Sequence, residues 1–184
     1  RGDHRSVVIA GERNNVRIPG FHLGNSPLEF IAERIRGQEV VLCTTNGTQA
    51  FNAAVEQGAQ EIYSGAMTNA PRLAEALMNE TKRDITLLCA GTQGRLSLED
   101  LLCAGLMVRE LYLQIPQMQM NDAARTALLA YTSAAQNWPA AMMAGDHART
   151  LDQHGFLPDV RYCAQVGISR HLPVLRGDCL LLAE

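Results

Sequence analysis

The stretch Val40-Val41-Leu42-Cys43-Thr44-Thr45-Asn46-Gly47-Thr48-Gln49-Ala50-Phe51 decides the fold class of this chain. Val40 to Cys43 form an unbroken apolar run. The run reads as a strand. Five small polar residues interrupt it, and a helix pattern then runs from about Gln49 to Gln57, closed by Gly58. A strand, a polar loop and a helix in that order form the repeating unit of an α/β protein.

The unit recurs on both sides. Val7 to Ala10 read as a strand that runs into Gly11-Glu12-Arg13. Ser26-Pro27-Leu28-Glu29 reads as a capping box, with Ser26 as cap, Pro27 at the first helical position and Glu29 reaching back; its helix should run to Arg36 and stop at Gly37. Ile62-Tyr63 centre a third strand, whose loop Ser64 to Asn69 leads to a helix capped by Asn69, with Pro71 in its first turn. Ile85 to Cys89 read as a fourth strand, with Gly91 to Arg95 as its loop. Ser97 then caps a helix whose apolar face is Leu98, Leu101, Leu102, Gly105, Val108 and Tyr112. This alternation predicts right-handed crossovers and a mainly parallel sheet.

The rest of the chain differs. Asn121 to Asn137 and Ala140 to Gln153 read as helices broken at Trp138-Pro139, and a short helix runs from Pro158 to Gln165. Pro173 to Leu175 and Cys179 to Leu182, joined by Arg176-Gly177-Asp178, read as a terminal hairpin. Met118, Met120, Met142 and Met143 read as core or subunit packing.

Composition narrows the function. The 184 residues are 47% hydrophobic and 19% charged with net charge -3, which suits one globular domain. No basic stretch points to nucleic acid, and no apolar run is long enough to span a bilayer. Five scattered cysteines without a Cys-x-x-Cys pair read as reduced thiols of a cytoplasmic protein. His147 and His154 could share a helix face but read as surface histidines, and the Arg-Gly-Asp triplets at 1–3 and 176–178 read as a terminus and a turn.

In a parallel α/β sheet, ligands bind at the carboxyl ends of the strands. The loops expected there are Gly11–Arg13, Thr44–Thr48, Ser64–Asn69 and Gly91–Ser97. Thr44, Thr45, Asn46, Gly47 and Thr48 offer hydroxyls, an amide and a glycine before a helix start, which suits a phosphate; the plainer reading is a turn with a threonine cap. Gly91 and Gly94 make a flexible loop ending in Arg95, an anion clamp or a solvated arginine. Glu99 and Asp100 either complement the helix dipole or hold a hard cation such as magnesium. Glu12 and Arg13 place an acid and a base at the same edge, or form a surface ion pair. Asn25 and Ser26 are donors for an anion, although Ser26 already has a role as cap.

These segments in order resemble the 2-phosphosulfolactate phosphatase family. The resemblance is carried by Ala10-Gly11-Glu12-Arg13-Asn14, Ile18-Pro19-Gly20-Phe21, Leu23-Gly24-Asn25-Ser26-Pro27 and Thr44 to Thr48. Cys89-Ala90-Gly91, Gly94-Arg95, Ser97-Leu98-Glu99-Asp100 and Asp159-Val160-Arg161-Tyr162-Cys163-Ala164 complete it. It implies a three-layer α/β/α fold, a magnesium ion (Mg2+) held by Glu99 and Asp100, and hydrolysis of (R)-2-phospho-3-sulfolactate to 3-sulfolactate and phosphate, a step of coenzyme M biosynthesis. Glu12, Arg13, Arg95 and Asp100 are then the catalytic candidates, and the loop residues with Asn25 and Ser26 the substrate-binding ones. Arg17 joins Arg13 and Arg95 as a source of positive charge. The alternatives are a phosphatase of another phosphorylated hydroxy acid and a non-catalytic anion-binding member. A homodimer is the assembly expected on general grounds.

Two departures from the family stand out. Its members open with a further strand and an Asp-Val-Leu-Arg-Ala-Thr motif that these 184 residues do not contain, so one domain over 1–184 is expected to lack part of the sheet. His22 stands where the family has Asp.

Overall fold

The computed structural model describes residues 6–78 and 84–183. Strand β1 (Val7–Arg13) turns through Asn14-Asn15 into the short β2 (Val16–Arg17). A 3-10 turn at Pro27–Glu29 and helix α1 (Ala32–Ile35) lead to β3 (Glu39–Cys43) and α2 (Gly47–Glu56). Helices α3 (Ala70–Met78), α4 (Leu98–Gln114), α5 (Asp122–Ala134), α6 (Trp138–Met143), α7 (Asp146–Gln153) and α8 (Leu157–Cys163) follow. The hairpin β4 (Pro173–Arg176) and β5 (Cys179–Leu182) comes last, where the sequence places it.

The fold is mixed α/β, and its ladders are smaller than the sequence predicts. Among the described residues the larger sheet has the order β2-β1-β3, with β1 and β3 parallel and β1 and β2 antiparallel. Ile62-Tyr63 does not join it. Tyr63 bridges Val174 antiparallel, Leu175 N–H donates to Ile62 O at 2.8 Å, and Ser64 N–H donates to Pro173 O at 2.8 Å. The terminal hairpin therefore takes the backbone groups that a parallel neighbour would have used.

Among the described residues Ile85 to Cys89 carry no strand ladder. Between them, Tyr63 and helices α2 and α4 lies a cavity of about 910 Å³. Over that cavity α2 buries none of its residues. Val41 and Leu42, which point to opposite faces of β3, are 49% and 45% exposed. The strand expected at Val40 to Cys43 is present, and among the described residues it lies at the edge of its sheet.

Local capping also departs from the simple rules. The helix expected from Pro27 to Arg36 is split, with Ile31 in extended conformation between its halves. Ser26 Oγ accepts from Leu28 N–H as a cap should, but Glu29 Oε2 takes the N–H of Gly24 at 3.0 Å, two residues beyond the cap. Asn69 stands directly before α3, and its O accepts the first helical bond from Leu73 N–H at 2.9 Å. Its buried amide accepts from Ala66 N–H and donates to Ser64 O and His171 O, which ties the loop to the C-terminal segment. The helix expected from Ala140 to Gln153 breaks at Gly145, while Pro139 sits inside the first turn of α6. A Cβ on Gly145 would meet Met142 O at 3.1 Å and Leu98 Cβ at 3.6 Å, so the glycine lets the start of α7 lie against the start of α4.

The core lies on α4. Leu102 and Leu106 are its largest fully buried side chains, packed with Leu73, Met107, Tyr131 and Met142, and Trp138 leans on the same cluster. A Cβ on Gly105 would sit 2.1 Å from Ala127 O, so α4 and α5 approach to backbone contact at a position where only glycine fits. Gly105→Ala must push the helices apart. The expected loss is about 2 kcal/mol or more, read as a lower urea midpoint, and an unchanged midpoint would refute this packing.

Candidate active site

Gly11 prepares the edge where the site forms. Its φ is +151°, and a Cβ there would lie 2.2 Å from Cys43 O, so only glycine lets β1 and β3 close together at their carboxyl ends. The next residue, Glu12, then reaches the loop after β3. Its Oε1 accepts from Thr45 N–H at 3.1 Å and from Thr45 Oγ1 at 2.7 Å, and its Oε2 accepts from Asn15 N–H at 2.9 Å.

Partial burial pushes the Glu12 carboxyl up. The Thr45 hydroxyl, the two backbone donors and the charge of His147 outweigh it, and the group lies below its ordinary value of 4.5. Glu12 is therefore an ionised clasp with both oxygens engaged, a poor arrangement for a group that must take up protons.

The loop Thr44 to Thr48 is fastened on its far side as well. Asn46 occupies the cap position of α2, yet its side chain makes no capping bond; its Oδ1 accepts from Gln93 N–H at 3.2 Å. Thr48 Oγ1 donates to Thr44 O at 3.1 Å. Among the described residues, the N–H groups of Gly47 and Thr48 donate to no protein acceptor. Two free donors at a helix start, on a loop held at both ends, form a cradle for an anion.

The second glycine loop is a closed turn. Thr92 and Arg95 exchange two backbone hydrogen bonds of 3.0 Å around Gln93 and Gly94, whose φ values of 52° and 73° are both left-handed. Gly91 N–H donates to Asp100 Oδ2 at 2.6 Å, which fixes this loop to the first turn of α4. Ser97 does not cap α4 with its side chain; the buried hydroxyl lies 2.6 Å from that of Thr92. The half-buried Glu99 lies near Gly145 and makes no hydrogen bond among the described residues.

The expected residues thus separate into groups. Glu12 with Thr45, Asn46 with Gln93, and Gly91 with Asp100 form three hydrogen-bonded pairs that tie neighbouring loops together. Thr44, Gly47, Thr48 and Gly94 lie on those loops, and Glu99 precedes Asp100. Arg95 is exposed at the end of its turn. Arg13 is the next residue after Glu12 on β1, so its side chain leaves the opposite face and lines a separate cavity.

Asn25 is exposed. The Ser26 hydroxyl, expected to be available to an anion, donates to Asp159 Oδ1 at 2.8 Å and so fastens its loop to α8. His22 Nδ1 accepts from Ile9 N–H at 2.9 Å, which makes it a polar pin for the turn. His147, read from sequence as a surface histidine, is half-buried and close enough to act electrostatically on Glu12. Only the break at Gly145, which brings α7 against α4, places it there.

The class defined by these features is a mixed α/β protein whose glycine-containing loops meet near a strand end, with two carboxylates on the first turn of the following helix. A family model for 2-phosphosulpholactate phosphatase matches residues 1–178. Three relatives carry the name "Probable 2-phosphosulfolactate phosphatase". That of Deinococcus radiodurans is 38% identical over 92% of this chain and 69% of its own length. That of Thermotoga petrophila is 38% identical over 97% and 74%, and that of Caldanaerobacter subterraneus subsp. tengcongensis 31% over 99% and 74%. The chain belongs to the 2-phosphosulfolactate phosphatase family, by that name a family of phosphoric monoester hydrolases.

The lowered carboxyl of Glu12 has a testable sign. An acid held below its ordinary value contributes stability above that value and loses it as pH falls through the folded-state value. Glu12→Gln should therefore melt below wild type at neutral pH, and the gap should shrink once pH drops below 4.5. Thermal melts across pH 3–7 give the comparison; a gap that stays constant would show that Glu12 is not an ionised clasp.

Proposed function

We propose that this protein is a magnesium-dependent phosphatase that hydrolyses (R)-2-phospho-3-sulfolactate to 3-sulfolactate and phosphate. The observation that carries the reading is a set of three separate contacts between neighbouring loops, Thr45 to Glu12, Gln93 to Asn46 and Gly91 to Asp100, with the free N–H groups of Gly47 and Thr48 on the first of those loops. Family membership supplies the reaction class. The phosphate is received by those N–H groups, and Arg95, exposed and without an acid partner among the described residues, is the guanidinium that meets it from the neighbouring turn.

The residues present fit a magnesium ion of the common kind. Among the described residues no three His, Cys, Asp or Glu converge, so an all-protein cage is not what the chain offers. Magnesium is usually held by one or two carboxylates together with substrate phosphate and water. Glu99, and the Oδ1 of Asp100 left free beside Oδ2, are the residues that would hold it. When bound, the ion would supply charge neutralisation at the phosphoryl group.

The thiols near Asp100 do not serve as nucleophiles. Burial, and then the charge of Asp100, push Cys89 up, and the same causes push Cys103 up to about 12. All five cysteines are free, in keeping with a reducing cytoplasm.

The large cavity is the seat of one further strand, which would complete a mainly parallel three-layer sheet. It is lined by Leu87 on one side and Phe51 on the other, and it reaches from Ile85 to Gly47 and Asp100. A strand parallel to β3 would therefore end at the anion loops. This chain spans 69% and 74% of the length of two of its relatives.

Phosphate release is the test. The protein should release phosphate from 2-phospho-3-sulfolactate with added magnesium and stop when EDTA is added. Asp100→Asn should lower kcat by about a hundredfold or more. Faster turnover of phospholactate or phosphoglycerate would assign the family chemistry to another hydroxy acid; no release from any of the three would defeat the reading.

A further inference from the structure

A half-buried histidine stands where β1, the Thr44–Thr48 loop and α4 converge. Its place is bracketed from two sides. Gly145 caps the start of α7, and a Cβ there would lie 3.6 Å from Leu98 Cβ and 3.7 Å from Glu99 Oε2. His147 follows two residues later, in the first turn of α7. Even fully extended, a chain covers roughly 3.5 Å per residue, so the histidine backbone stays beside the first turn of α4. On the other side, the charge of His147 acts on Glu12, whose Oε1 holds Thr45 N–H at 3.1 Å and Thr45 Oγ1 at 2.7 Å. A group near both Glu99 and Glu12 lies between the phosphate loop and the carboxylates of α4.

The ring is also unengaged. Among the described histidines, His22 and His154 each have a ring nitrogen bonded to the backbone, and His171 is exposed. His147 is half-buried, and its ring makes no hydrogen bond among the described residues. Its helix is seated on either side of it: Ala148 is buried, and Asp146 is paired with Arg149. A ring nitrogen that is partly withdrawn from water and has no protein partner is available to an incoming oxygen.

The reaction has a need that the other groups of the site do not meet. An alcohol leaves phosphorus poorly as an alkoxide and departs more readily when it receives a proton. Backbone N–H groups and the guanidinium of Arg95 stabilise charge without giving up a proton. Glu12 is ionised with both oxygens occupied, and Glu99 and Asp100 are the residues that would hold the metal. Imidazole is the side chain that both holds and releases a proton near neutral pH.

We propose that His147 is a further catalytic residue, the proton donor to the alcohol oxygen that leaves phosphorus. This rests on the phosphatase reading and deepens it. Water adds to phosphorus as the bond from phosphorus to the alcohol oxygen breaks. The bonding pair stays on that oxygen, which takes the imidazolium proton. The phosphate formed with the attacking water releases one proton to solvent, and the imidazole takes one back.

The experiment compares wild type and His147→Gln, with magnesium present, on esters of two kinds. 2-Phospho-3-sulfolactate and phospholactate leave as alkoxides that need a proton, whereas 4-nitrophenyl phosphate leaves as a phenolate that does not. His147→Gln should lower kcat about a hundredfold on the first two and less than about threefold on the third. His147→Asn is the second variant, and thermal melts check that each is folded. The same loss on all three esters, or no loss on any, overturns the proposal while the phosphatase reading stands. A wild type that hydrolyses phospholactate but not 2-phospho-3-sulfolactate overturns the substrate alone, and the split between phospholactate and 4-nitrophenyl phosphate then decides for or against His147. A wild type inert on every ester defeats the reading and the proposal together.

Discussion

The burial of α4 is the constraint from which the site takes its positions. Leu102 and Leu106 are enclosed in the core, and Gly105 presses the helix against the backbone of α5. A helix held that firmly gives its first turn a single location, so Asp100 stands at a fixed point and draws Gly91 to it. Gln93 on the same turn holds Asn46, the neighbouring Thr45 is held by Glu12, and Glu12 belongs to β1. Rigidity in the apolar interior thereby reaches the polar edge through a few hydrogen bonds.

Those bonds are individually modest. A hydrogen bond in a folded protein contributes about 1 kcal/mol net, and one to a charged group about 1.5–3 kcal/mol. Their value here lies in arrangement. Because Glu12 is ionised and its oxygens are saturated, it holds its loop without competing for an incoming phosphate. The two α2 N–H groups remain unclaimed because Asn46, which could have capped the helix, is committed to Gln93. Donors set before a ligand arrives need no reorganisation when it binds.

Much of this was legible in the residues. The strand–loop–helix unit at Val40 to Gln57, the loops at Thr44 and Gly91, the acids after Ser97 and the terminal hairpin were readable because apolar runs, glycine stops and cap residues act locally. Pairing was not. A run such as Ile85 to Cys89 has the composition of a strand, but a ladder needs a neighbour, and nothing in the run says whether one is present. Side-chain partners were also hidden, since Ser26 has two uses for one hydroxyl and its bond to Asp159 spans 133 residues. The same limit concealed His147, which depends on a helix break that bare periodicity reads as continuous.

Trp138 opens α6, leans on the core cluster and is the single tryptophan of the chain. Just beyond α6, Gly145 brings the start of α7 beside Glu99. The indole therefore sits between the interior that fixes α4 and the segment that borders the carboxylate pair. Its ultraviolet emission is an intrinsic optical signal for the seating of α6 and α7. A change in how these two helices seat can be followed by light from the native protein, with no dye attached.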